Sequence, residues 1–185
     1  MTETRKTSTQ TTTQVYRVYI KASQQAVWDA ITRPEWTQRY GYRVLAEYDL
    51  RPGGAYRAVT SEDMRTAGAV GGFEVPDVGV DGEVIEADPP HKLVQTWRML
   101  MDPQIAAEGF TRLTHEIEVT APGVTRLTVI HELEGAPKLA ELVAGQHEAE
   151  GAGGGWNWVL SGLKSLLETD TPPAALTPGV RRDQP

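Results

Sequence analysis

Two histidines stand where they could share chemistry. His115 lies in Leu113-Thr-His-Glu-Ile117, and His131 lies in Leu127-Thr-Val-Ile-His131. Side chains on a strand alternate faces. Over residues 111–120 the odd positions Leu113, His115, Ile117 and Val119 then form the apolar face. Over 125–133 Leu127, Val129, His131 and Leu133 do the same. Ala121-Pro-Gly-Val124 between the runs is a hairpin signal, so the two strands pair. If paired residue numbers sum to 246 the histidines are opposite; if they sum to 244 they are diagonal. Either register puts both rings on one wall. Such a pair could serve as general acid and base, because imidazole titrates near neutrality. It could supply two ligands of a metal. It could also be two wall histidines bonded to Tyr, Thr or water. The face offers no third His or carboxylate at a ligating position, so no metal and no cofactor are expected.

Other side chains converge on the same wall by parity. Residues 92–99 place Leu93, Gln95, Trp97 and Met99 together, and Gln95 could orient a ligand carbonyl or hydroxyl. Trp36 and Tyr40 follow the first helical segment and are candidates beside Trp97. Trp156, Leu160 and Leu163 fall on one stripe of a helix over 156–169, with Leu167. The expected ligand-contacting set is Trp36, Tyr40, Gln95, Trp97, Met99, His115, Ile117, Val129, His131, Trp156, Leu160 and Leu163. Trp28 and Trp156 are expected to be mainly packing, and Arg57 to face solvent. No catalytic residue can be assigned.

Several chemistries are excluded. The chain has no Cys, so thiol nucleophiles, redox pairs and Cys-based zinc sites drop out. There is no G-x-S-x-G elbow, P-loop or dinucleotide-binding glycine motif. Gly151 to Gly155 lacks the lysine and preceding strand of a phosphate loop and serves better as a flexible lead into the last helix.

The elements that must carry these residues follow from periodicity and breakers. Residues 15–22 alternate and predict a half-buried strand; Ser23 then caps a short helix, and Pro34 starts a second. Leu50-Arg-Pro-Gly-Gly54 is a turn before a strand over 56–60. Residues 61–78 have no clear period and three Gly, which predicts a long loop. Strands are expected over 80–87 and 92–99, around Asp88-Pro-Pro, then over 111–120 and 125–133. Residues 102–109 form a loop with at most one helical turn, and a short helix covers 137–147. The fold class is α+β: a curved antiparallel sheet of about six or seven strands wrapped around a long C-terminal helix, with two short helices after the first strand.

The chain has 185 residues and a net charge of −7. That length suits one domain. The expected division is a tail over 1–13, one domain over 14–170 and a second tail over 171–185. The first is Thr-rich and the last Pro-rich. The charge is local. Residues 61–90 hold one Arg against Glu62, Asp63, Glu74, Asp77, Asp81, Glu83, Glu86 and Asp88. No Lys/Arg cluster invites nucleic acid or an anionic membrane, so neither is expected as a partner. No apolar run resembles a signal peptide or spanning helix, so the cytoplasm is the expected location.

Five stretches together resemble a known group. They are Ile20-Lys-Ala-Ser-Gln-Gln-Ala-Val-Trp28 with Trp36; Leu50-Arg-Pro-Gly-Gly54; Gly82-Glu-Val-Ile-Glu-Ala-Asp-Pro-Pro-His-Lys-Leu-Val-Gln-Thr-Trp97; Thr125-Arg-Leu-Thr-Val-Ile-His-Glu132; and Gly155-Trp156 leading to Leu160, Leu163 and Leu167-Glu168. In this order they resemble the START-like (SRPBCC) superfamily, and within it the bacterial single-domain homologues of the activator of the heat-shock-protein-90 ATPase. The resemblance implies a helix-grip fold with a largely apolar cavity between helix and sheet. Superfamily members carry lipids, sterols or hormones, and some are polyketide cyclases or dehydratases. The chaperone activator pairs a related domain with a separate amino-terminal one, for which this sequence leaves no room.

The expected function is therefore binding of a small, mainly apolar molecule by a monomer or homodimer. A cyclase- or dehydratase-type enzyme using the histidines, or a co-chaperone-like protein-binding module, is the alternative. Residues 61–78 and 136–155 are the expected gates. The acidic segment 61–90 spans the first of these gates and the strand after it, and an acidic rim there would favour neutral or cationic ligands.

Overall fold

A computed structural model describes residues 12–174. The expected tails, 1–13 and 171–185, fall mostly outside them. The chain forms seven strands: β1 (Thr13–Ile20), β2 (Leu45–Tyr48), β3 (Ala55–Val59), β4 (Val78–Asp88), β5 (Lys92–Met99), β6 (Thr111–Ala121) and β7 (Val124–Glu132). Its helices are α1 (Gln24–Thr32), α2 (Pro34–Thr37), α3 (Glu62–Gly71), α4 (Pro103–Ala106), α5 (Pro137–Val143) and α6 (Gly155–Thr169). All strand pairs are antiparallel, in the order β1-β7-β6-β5-β4-β3-β2. The sheet curves around α6 in the α+β helix-grip arrangement.

Local signals explain most boundaries. Ser23 accepts from the Ala26 N–H and caps α1, which buries Val27, Trp28, Ala30 and Ile31. Asp102 caps α4 through two N–H groups. The Glu108 carboxylate accepts from the Lys138 and Leu139 N–H groups at the start of α5. The Leu50–Gly54 turn is locked onto β4 by Gly53 N–H to Val84 O and Val84 N–H to Gly54 O, both 2.8 Å. β4 breaks register between Val84 and Glu86. Near this break Gly82 sits against the Thr96 carbonyl, with no room for a Cβ.

Four expectations need correction. Residues 61–78 are not one long loop, because α3 occupies 62–71. Ser61 caps it through the Met64 N–H, Glu62 and Asp63 complement its first turn, and Gly72 at φ 80° ends it. The aperiodic pattern arises because α3 buries only Gly68 and so needs no apolar stripe. Second, β2 is a strand that the turn composition did not suggest; it pairs Tyr48 with Tyr56 across the Leu50–Gly54 turn. Third, the helix expected over 137–147 stops at Val143. Fourth, Val119 is 59% exposed despite its parity, because the β6–β7 hairpin projects beyond the core. The α6 stripe also turns slightly: Leu160, Leu163 and Leu166 are buried and Leu167 only partly.

The core lies between α6, α1 and the concave face of the sheet. It joins Ile20, Val84, Leu93, Leu113, Ile117, Leu127 and Val129 to Leu160, Leu163 and Leu166. Arg57 is exposed, as expected. The acidic stretch is partly neutralised by pairing. Arg98 holds Asp81 through two bonds of 2.6 and 3.0 Å, Lys92 meets Glu86 at 3.0 Å, and Arg65 approaches Asp77 at 3.8 Å.

Candidate functional site

The β6–β7 register pairs Leu113 with His131 and His115 with Val129, so the numbers sum to 244 and the histidines are diagonal. On the other side β5 pairs Leu93 with His115 and Gln95 with Leu113. Gln95 and His115 are therefore also diagonal neighbours. Gln95, His115 and His131 form a staggered polar line across three strands of the concave face, with Leu113 directly between Gln95 and His131. All three polar side chains are buried, at 0%, 6% and 0% exposure.

Trp156, at the start of α6, lies over this line. Its ring meets His115 and His131 edge-on at 6.1 and 6.0 Å between centroids. Its indole N–H donates to His131 Nδ1 at 3.2 Å. An indole nitrogen only donates, so Nδ1 carries no proton. The neutral ring then holds its proton on Nε2, which lies 2.8 Å from Thr111 Oγ1. Thr111 in turn donates to the Trp97 carbonyl at 2.8 Å. The chain Trp156–His131–Thr111–Trp97 is closed, with both imidazole nitrogens engaged. Trp97 stands edge-on to His131 at 5.2 Å.

His115 differs. Its Nδ1 is buried without a hydrogen-bond partner. Neither Nε2 nor Oε1 of Gln95 has a partner in bonding geometry. Interior polar groups are normally paired, because leaving one bare costs about 1–3 kcal/mol. Next to Gln95 the Tyr48 and Tyr56 rings stack at 4.5 Å. Burial pushes the Tyr48 phenol well up and Tyr56 to about 12, and the Gln95 amide opposes part of each rise. Burial lowers His115 to about 4. Burial, then the neighbouring His115, lowers His131 to about 3. Both imidazoles and both phenols are thus neutral at pH 7. Among the described residues the buried polar side chains are Thr, Gln and His only, with no Asp, Glu, Lys or Arg.

The remaining expected residues fall into place around this line. Ile117, Val129, Leu160 and Leu163 belong to the same core. Tyr40 is buried and its hydroxyl donates to the Ala30 carbonyl at 2.9 Å. Met99 and Trp36 pack at the margin of the core, and Trp36 lies under the Arg39 guanidinium at 5.2 Å. Parity did not single out Thr111, Tyr48 or Tyr56. Thr111 shares the odd face of β6, so extending the alternation by one step would have found it. Tyr48 needed the missing strand β2.

Glycines bring α6 to this position. Gly155 has φ 61°, and a Cβ there would run into the Val143 carbonyl at the end of α5. Its N–H donates to the Tyr42 hydroxyl at 3.1 Å. Tyr16 and Gln14 on β1 hold α5 from below, through the Gln14 Nε2 to Ala140 O bond of 2.9 Å. Two surface clefts, of about 460 and 480 Å³, lie elsewhere. They flank Gln24 and Val119 beside the β4–β5 and β6–β7 turns. No helix among the described residues is long and apolar enough to cross a membrane.

The family model described as Activator of Hsp90 ATPase homolog 1-like protein matches residues 21–168. No curated protein matches the chain. Solved structures do. The Bordetella parapertussis protein encoded by BPP1335 is 18% identical, with 88% of this chain and 78% of that one covered and a TM-score of 0.62. CalU16 from Micromonospora echinospora is 17% identical over 91% and 71% of the two chains, with a TM-score of 0.59. NE0264 from Nitrosomonas europaea is 21% identical over 84% and 93%, with a TM-score of 0.56. At these identities the likeness speaks to the fold.

Proposed function

The chain belongs to the Activator of Hsp90 ATPase homolog 1-like family, and on that premise we propose that it binds a small, neutral, mainly apolar molecule between α6 and the concave face of the sheet. One observation carries this reading. In a core whose other buried polar side chains are largely bonded, the Gln95 amide and His115 Nδ1 are not. A ligand hydroxyl or carbonyl would satisfy them, while Trp97, Trp156 and the leucines of α6 supply apolar contact. Area burial would provide the affinity, at about 25 cal/mol per Å² before the costs of binding. The absence of buried charge among the described residues argues for a neutral ligand, since an anion would lose hydration and gain no counter-ion.

Titration with two fluorescent probes of one shape tests this. The neutral 1-aminoanthracene is expected to bind saturably, one to one. The anionic 1-anthracenecarboxylate is expected to bind at least tenfold more weakly. Tighter binding of the carboxylate, or no binding of the amine, contradicts the reading.

An enzyme of cyclase or dehydratase type is the alternative, and the geometry narrows it. His131 has both nitrogens committed, so a two-histidine acid–base pair would first have to break the Trp156 or Thr111 bond. His115 alone of the two has an unpartnered nitrogen. Its lowered pKa makes it a weak base near neutrality.

A further inference from the structure

We infer that the bound molecule presents a hydrogen-bond donor and an acceptor side by side, as a lactam, a carboxamide or an enolised ketone does, and that Gln95 reads the pair. This rests on the interior site proposed above. A primary amide offers an N–H donor and a carbonyl acceptor along one edge. In Gln95 both lie at 0% exposure, and neither meets a partner in hydrogen-bond geometry, the Tyr48 and Tyr56 phenols lying beside the amide. A lone carbonyl or lone hydroxyl on the ligand would satisfy one atom and leave the other bare. A donor–acceptor pair satisfies both through two parallel bonds. The surroundings fix the rest of the class. His115, the diagonal neighbour, adds a third unpaired polar atom, Nδ1, and the stacked phenols of Tyr48 and Tyr56 lie beside the amide. Trp97 and Trp156 bound the line with large flat rings. A planar ring carrying the pair fits this set better than a flexible alkyl chain. A carboxylate does not fit, because the Gln95 carbonyl would face a second acceptor and no buried cation among the described residues compensates.

Sites built to bond a polar group reject analogues that cannot return the bond, whereas apolar pockets discriminate shapes only weakly. The test uses that asymmetry. Displacement of 1-aminoanthracene from the full chain is measured with 2-quinolone, a planar lactam, and with N-methyl-2-quinolone, which keeps the acceptor and loses the donor. The lactam is expected to displace the probe at a concentration at least tenfold lower. In Gln95→Leu the two are expected to converge. Equal potency on the wild-type chain overturns the inference and leaves the interior site standing. A preference that survives in Gln95→Leu also overturns it, since Gln95 is then not the reader. Failure of 1-aminoanthracene to bind the wild-type chain overturns the site itself. The wild-type comparison needs no variant, so it holds even if Gln95→Leu folds poorly.

Discussion

Lowering the pH from 7 to 5 is expected to cost the fold about 4 kcal/mol through two side chains, His115 and His131. Their folded-state values fall to about 4 and about 3, against an ordinary value of 6.5. Below that value the unfolded chain takes up protons that the folded chain refuses. Stability is therefore fully present above about 6.5 and drains as the pH falls toward 4, by about 1.4 kcal/mol per unit for each ring. The cause is burial of two imidazoles with no carboxylate beside them. Surface His147 works in the opposite direction, because Glu150 and Glu141 raise it, but it is solvent-screened. Denaturant unfolding at pH 5, 6 and 7 checks this. His115→Phe should flatten the acid slope by about half and leave the Trp156–His131–Thr111 chain intact. Parallel curves for the variant and the wild type would contradict the assignment.

Gly155→Ala is the second large effect. Alanine at φ 61° already costs about 1 kcal/mol, and its methyl would have to displace the Val143 carbonyl, which is backbone and cannot rotate away. A total of about 3–5 kcal/mol is expected, a fall in Tm of about 10 °C for a chain of this size. Gly135 is the control. It has φ 76° with nothing within 4 Å of its Cβ position, so Gly135→Ala should cost only about 1 kcal/mol. Equal losses at the two positions would mean that the α5–α6 contact carries no weight. Because Gly155 precedes Trp156, the first variant should also expose the indole and red-shift its fluorescence.

The sheet was legible because its strands obey simple rules. β5, β6 and β7 alternate cleanly, and Asp88-Pro-Pro and Ala121-Pro-Gly mark their turns. Parity alone put Gln95, His115 and His131 on one face, where the structure has them. What parity could not supply was the bonding. Nothing in the sequence says that Trp156, on an element 25 residues away from His131, donates to that ring and leaves His115 as the unpaired one. α3 was hidden for a different reason. A helix that buries a single glycine has no apolar period, and only its caps, Ser61 and Gly72, betray it. Tyr48 was missed because a four-residue edge strand carries too few residues to show alternation.

The central claim is that the binding site is the interior line on the concave face and not the surface clefts beside Gln24. Amide and indole resonances of the ¹⁵N-labelled protein, followed during titration with 1-aminoanthracene, address it directly. The side-chain amide of Gln95 and the Nε1–H of Trp156 should shift together and saturate at one equivalent, with the side-chain amide of Gln24 unmoved. Shifts confined to Gln24 and its neighbours at Val119 and Thr125, with Gln95 and Trp156 unchanged, would contradict the account.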